Sequence, residues 1–200
     1  MDDSKLEYLH QLIVDPTVKI NHRIDSSPPF LLLCQFNRSE SLYSTLKVFL
    51  QRQDLDISCT SPSGYNALMF LCRFYPCERL LDCVQLLIDR GIHLEAREKG
   101  HKTAILLLCQ YYSGKNLMDV ILRFLYNSKN FGDAFLCTRI LWERKFKMES
   151  KMLHKCCVLL RDGQNPVRHI TFYGPFEPEA LSWLASSSNH TCFCLPFFSM

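Results

Sequence analysis

The chain repeats itself, and the repeat constrains its fold more than any other feature. Three segments read alike: Phe30-Leu31-Leu32-Leu33-Cys34-Gln35-Phe36, Leu68-Met69-Phe70-Leu71-Cys72-Arg73-Phe74 and Ile105-Leu106-Leu107-Leu108-Cys109-Gln110-Tyr111. Their cysteines are separated by 38 and then 37 residues. Eight residues after each cysteine comes a leucine: Leu42, Leu80 and Leu117. From those leucines the offsets +3, +4, +7 and +8 reach Thr45, Leu46, Phe49 and Leu50; then Cys83, Val84, Leu87 and Ile88; then Val120, Ile121, Phe124 and Leu125. That spacing is one face of an α-helix, and eleven of the twelve positions are apolar. A fixed period of this length restricts a chain to stacked units, each burying its apolar face against its neighbours.

The phase extends in both directions. Thirty-seven residues before the first register lie Lys5, Tyr8, Leu9, Leu12 and Ile13, a helix with no preceding partner. Thirty-five residues after Leu117 lies Met152, followed in register by Lys155, Cys156, Leu159 and Leu160. In that fourth register Thr138-Arg139-Ile140-Leu141-Trp142 takes the place of Thr103-Ala104-Ile105-Leu106-Leu107. Gly91 and Gly163 each lie eleven residues after the leading Leu80 or Met152, where a left-handed residue ends a helix. The expected organisation is a half repeat at 5–20, repeats at about 27–60, 64–98, 101–134 and 136–166, and a C-terminal segment at 167–200. Each repeat reads as a short apolar helix, a loop, a longer amphipathic helix and a polar connection.

At these residues the sequence resembles the ankyrin repeat family. The family's Gly-x-Thr-Pro-Leu-His start is echoed by Gly64-Tyr65-Asn66-Ala67-Leu68-Met69, and again by Thr103-Ala104-Ile105-Leu106 and Pro28-Pro29-Phe30-Leu31. Its helix end, Leu-Leu-x-x-Gly-Ala-Asp, is echoed by Leu87-Ile88-Asp89-Arg90-Gly91-Ile92-His93 and by Leu159-Leu160-Arg161-Asp162-Gly163-Gln164-Asn165. The resemblance spans roughly residues 5 to 166. It departs from the family in two ways. Leu31, Met69, Leu106 and Leu141 stand where the family has histidine, and the period of 37–38 exceeds the usual ~33. The fold expected from phase and resemblance together is all-α, an ankyrin-like helix-turn-helix solenoid with short hairpin-like connections.

After Asn165 the repeat signal stops. Phe172-Tyr173-Gly174-Pro175-Phe176 reads as an aromatic turn, and Glu177-Pro178-Glu179 as the start of a short helix through Leu181, Trp183 and Leu184. Capping of the last repeat is the expected role of this tail. The final Cys192-Phe193-Cys194-Leu195-Pro196-Phe197-Phe198 is apolar without helical phase.

Composition narrows the classes. Of 200 residues, 48% are hydrophobic and 22% charged, enough to bury a core. The longest clean apolar run, Ala104 to Cys109, is far shorter than the ~18 residues of a membrane-spanning helix. The N-terminus is acidic where a secretory signal is basic. The expected location is therefore the cytoplasm or the nucleus, with no membrane partner. In that setting the eleven cysteines read as buried reduced thiols, and the sequons at Asn37 and Asn189 carry no weight. A formal net charge of +3 does not by itself call for a nucleic acid.

Motifs of chemistry are absent: no glycine-rich phosphate loop, no Gly-x-Ser-x-Gly elbow and no His-Glu-x-x-His occur. No enzymatic activity and no cofactor are expected. Two His-x-Cys units, at His154/Cys156 and His190/Cys192 with Cys194 beyond, supply soft zinc ligands but lack the usual two-residue spacing. Between Arg139 and Lys155, six basic residues face Glu143 and Glu149, with Trp142 and Phe146 interleaved. Such a segment suits RNA or an acidic partner, or simply a solvated helix pair. Phe36, Phe74, Tyr111 and Phe146 recur two residues after the cysteine position, either filling the core or lining a binding groove.

The ankyrin resemblance implies a non-enzymatic protein–protein interaction module, a scaffold or adaptor, using hairpin tips and the exposed side of the first helices. Carried onto this sequence, those positions are Tyr65, Asn66, Phe70 and Arg73 in the second repeat, and Lys99, His101, Lys102, Leu107 and Gln110 in the third. The alternatives are a substrate-recognition subunit of a ubiquitin ligase, docked through the tail, and a nucleic-acid- or zinc-binding protein using the basic 139–155 segment.

Overall fold

A computed structural model describes residues 3–24 and 26–127, residues 133, 137 and 140, and the backbone of 169–173 and 191–195. The chain divides into two compact units, 1–123 and 124–200, with the division inside a helix. The described elements are α1 (Asp3–Val14), α2 (Pro29–Phe36), α3 (Ser41–Gln51), α4 (Ala67–Phe74), α5 (Leu80–Asp89), α6 (Ala104–Tyr111), α7 (Leu117–Asn127), β1 (His169–Tyr173) and β2 (Thr191–Leu195). The first unit is all-α among its described residues, apart from an isolated bridge between Ile24 and Ser27. None of the described helices is long and apolar enough to cross a membrane.

Helices of eight residues, such as α2, α4 and α6, do not persist alone in water and depend on packing. Here they form one row, α2 against α4 and α4 against α6. The longer α1, α3 and α5 form a second row in the same order, and α2–α3 and α4–α5 pair across the rows. Neighbours α2, α5 and α6 explain why Ala67 to Cys72 on α4 are buried without a break, and Ala104 to Cys109 on α6, packed against α4, form a second unbroken buried run. The second row instead buries a stripe: Leu42, Thr45, Leu46 and Phe49 on α3, and Leu80, Cys83, Val84 and Leu87 on α5. These are the +0 to +7 positions of the repeat, while Leu50 and Ile88 at +8 are half-buried at the edge. The one polar member, Thr45, donates to the Ser41 carbonyl at 3.0 Å and meets His10 Nε2 at 3.1 Å, so its burial leaves no hydroxyl unpaired.

Local chemistry sets the ends. The Asn66 side chain accepts from the Met69 N–H at 2.9 Å, capping α4, and its amide donates to the His93 carbonyl at 3.1 Å. Helix α2 begins at Pro29, whose missing N–H costs nothing in the first turn. Helix α5 ends at Gly91 (φ +84°), with Gly91 N–H on the Ile88 carbonyl and Ile92 N–H on the Leu87 carbonyl, the double closure of a Schellman motif. Its counterpart Gly163 lies outside the described residues.

Successive units are tied by bonds that each span about one repeat. Arg52 donates to the Ile13 and Val18 carbonyls at 2.9 and 3.1 Å, and Arg90, 38 residues after it, donates to the Arg52 carbonyl at 2.8 Å. Tyr112 donates to the Cys77 carbonyl at 3.2 Å, and Asn116 to the Glu78 carbonyl at 2.6 Å. The seven cysteines whose side chains are described carry free thiols, all buried except the half-buried Cys77. Burial pushes the Cys34 and Cys72 thiols well up and raises Cys59 to about 11 and Cys83 to about 12.

The second unit corrects the reading of the tail. Strands β1 and β2 pair in parallel, from His169 opposite Thr191 to Tyr173 opposite Leu195. Phe172 and Tyr173 therefore lie on a strand rather than in a turn, and Cys192 to Leu195 form its partner. A search for helical phase misses such segments, because Thr, Ile, Phe and Tyr favour strands only once a partner edge is present. The fourth repeat, the helix expected after Glu177 and the segment 139–155 lie outside the described residues, save Cys137 and Ile140.

Candidate functional site

The first-row helices end in a series of rings and cations. Helix α4 places Phe70, Arg73 and Phe74 in its last turns, and the turn before it supplies Tyr65. The Tyr65 and Phe70 rings stack at 5.1 Å between centroids, and Phe70 and Phe74 at 6.2 Å. Above them the Arg73 guanidinium lies 5.6 Å from the Tyr65 ring, 5.0 Å from Phe74 and 5.0 Å from Tyr111 at the end of α6. Its Nη1 also donates to the Tyr65 hydroxyl. Arg38, just after α2, covers Phe74 from 4.9 Å, and Lys102 Nζ lies 5.9 Å from Tyr111. The result is an alternating strip: Arg38, Phe74, Arg73, Tyr111, Lys102.

Electrostatics favour an anion here. Among the described residues no carboxylate lies within ion-pair distance of Arg38, Arg73, Lys99 or Lys102. Glu98, an acid that interacts with Lys102 and Arg73, is engaged in its own turn, accepting from the N–H groups of Gly100 at 2.6 Å and Lys102 at 3.2 Å. The Gly100 bond leads the effects that hold its carboxyl below the ordinary range, with Lys102 and Arg73 adding to them. Arg38 donates to the carbonyls of Cys34 and Gln35, so it also caps the C-terminal end of α2.

The expected site residues divide. Arg73 and Lys102 are half-buried in the strip, and Gln110 is exposed beside it, accepting from Lys102 Nζ at 2.6 Å. Lys99 and His101 are exposed on the neighbouring turn. Tyr65 and Phe70 are buried beneath Arg73, so they support the surface rather than form it. Two positions need correction. Leu107 is fully buried within the unbroken buried run of α6, which packs against α4, and Asn66 is buried as the cap of α4.

Phe36, Phe74 and Tyr111 are 68%, 37% and 42% exposed, so the recurring rings line a surface rather than fill the core. The fourth ring, Phe146, lies outside the described residues. Arg38 was missed by sequence reasoning. Its signal was a cation four residues after Cys34, within reach of the last carbonyls of a helix.

Among the described residues no group of three His, Cys, Asp or Glu side chains is placed to hold a metal. The side chains of both His-x-Cys units lie outside the described residues. No protein-family model matches the chain, and no curated protein matches it.

Proposed function

We propose that the chain is a non-enzymatic protein-interaction module, a scaffold or adaptor, built as a divergent ankyrin-like array. The observation that supports this most is the cation–aromatic strip along the ends of α2, α4 and α6, with Phe74 and Tyr111 partly exposed and, among the described residues, no carboxylate within ion-pair distance of its cations. Each repeat supplies its own side chains to one continuous face, the arrangement by which stacked repeats recognise partners. Exposed aromatic and arginine side chains are the groups that most often dominate protein–protein binding energy. The chemistry of the strip adds to the family resemblance, since a shared fold does not by itself carry a role.

The test is affinity capture with quantitative mass spectrometry, comparing the full chain with an Arg73→Ala/Lys102→Ala/Gln110→Ala variant of unchanged helicity. Proteins held by the native chain should be lost from the variant. Equal capture by both would remove the strip from partner binding.

A further inference from the structure

Resting on the reading of this strip as a protein-binding face, we propose that its ligand is an extended acidic peptide segment, with carboxylates about three residues apart. Charge sets the class. Among the described residues no carboxylate lies within ion-pair distance of Arg38, Arg73, Lys99 or Lys102, and Glu98, whose charge Lys102 and Arg73 help to hold, is bonded to backbone N–H groups of its own turn. A guanidinium carries five N–H donors in a fixed fork suited to carboxylates. Among the described residues Arg73 makes one hydrogen bond, to the Tyr65 hydroxyl.

Spacing sets the pattern. Distances of 4.9 and 5.0 Å to the shared Phe74 ring put the Arg38 and Arg73 guanidiniums at most about 10 Å apart. Distances of 5.0 and 5.9 Å to the shared Tyr111 ring put Arg73 and Lys102 at most about 11 Å apart. A chain in the extended polyproline II conformation advances about 3.1 Å per residue with three residues per turn, so every third side chain returns to the same face about 9 Å on, within both limits. The recognisable pattern is acid-x-x-acid.

The rings argue against a nucleic acid. Phe74 and Tyr111 already have cations on their faces, which withdraws the surfaces that bases would stack on. Their role is to hold the guanidiniums in place.

The experiment uses the full chain and a fluorescent twelve-residue peptide with Glu at every third position. Its Gln counterpart and a twelve-nucleotide oligouridine serve as competitors. The Glu peptide should bind, with affinity falling as salt rises, and the Gln peptide should bind at least tenfold more weakly. Arg73→Glu/Lys102→Glu should abolish binding. The pair Lys99→Glu/Lys102→Glu, one exposed and one half-buried, which leaves the packed Arg73 in place, should weaken it at least tenfold. Equal binding of the Gln peptide, no Glu-peptide binding up to about 1 mM, or displacement by oligouridine overturns the acidic-peptide assignment. A random twelve-residue display library then separates the two failures. Non-acidic peptides lost from Arg73→Ala/Lys102→Ala/Gln110→Ala would leave the strip a protein-binding face. No strip-dependent peptide at all would remove both readings.

Discussion

His101 stands in the backbone place of Gly64, one repeat later. Gly64 has φ +83° and His101 φ +63°, 37 residues apart, and Ser26, 38 residues before Gly64, has φ +70°. All three sit at the tip of the turn that precedes a first-row helix. The turns also share a bonding scheme: Gly64 N–H meets the Ser61 carbonyl and His101 N–H the Glu98 carbonyl. The tips of adjacent repeats are joined by Lys99 N–H on the Ser63 carbonyl at 3.1 Å.

The tip positions should therefore respond in opposite directions to substitution. A Cβ on Gly64 would meet the Glu98 Cα at 3.2 Å in a conformation that already disfavours side chains, so Gly64→Ala should destabilise the protein by about 1–3 kcal/mol. His101→Gly removes left-handed strain and adds unfolded-state entropy, so its net effect should be a gain of at most about 1 kcal/mol. Urea unfolding midpoints of the two variants check both signs, and a neutral Gly64→Ala would refute the close approach.

Asn66→Ala removes a cap and an inter-loop bond together. The buried Met69 N–H and the part-buried His93 carbonyl each lose a partner. A loss of about 1–2 kcal/mol is expected, with Asn66→Asp retaining the cap bond and recovering part of it. Thermal unfolding of the three proteins provides the measurement.

Arg52 anchors the first helix to the array. It donates to the carbonyls of Ile13, Asp15 and Val18, where α1 ends, and pairs with Asp54 at 2.7 Å. Arg52→Ala should cost about 1–3 kcal/mol and raise amide hydrogen exchange in α1 more than in α4. Uniform exchange across the two helices would show that α1 is not held this way.

Stability should fall at both pH extremes. Bonds from Thr17 hold the Asp15 carboxyl below its ordinary 3.8, the Arg52 bond does the same for Asp54, and the Gly100 N–H holds Glu98 below 4.5. The unfolded chain binds these protons first, so their contribution is complete above those values and is lost as pH drops through the lowered ones. Asp15→Asn should flatten that acid limb. The thiols work in the other sense: with Cys59 raised to about 11 and Cys83 to about 12, stability is full below pH 9.0 and declines as pH climbs toward those values. Urea midpoints across pH 3 to 11, read with the reference values about 4 and 9, locate the two limbs.

Access to the thiols should be graded. Cys77 is half-buried, whereas Cys34, Cys72, Cys83 and Cys109 are buried. Brief alkylation of the folded protein followed by peptide mapping should label Cys77 well before those four. Simultaneous labelling would indicate that the rows open as a unit.

Much of the helical framework was legible in the order of residues. Helices α3, α5 and α7 begin at or within one residue of the leucines that the repeat picks out, and their buried stripes follow the predicted offsets. Gly91 ends α5 as expected. Those features depend on local periodicity and on backbone conformations open to few residue types, both of which are written in sequence. The faces of α2, α4 and α6 were not legible. A helix such as Ala67–Phe74, apolar almost all round, has no polar stripe to say which side meets solvent. Tertiary packing decided it, burying Leu107 and leaving Phe74 and Tyr111 at the helix ends beside Arg73. The same holds for β1 and β2, whose pairing joins segments far apart in the chain and exists only where folding brings their edges together.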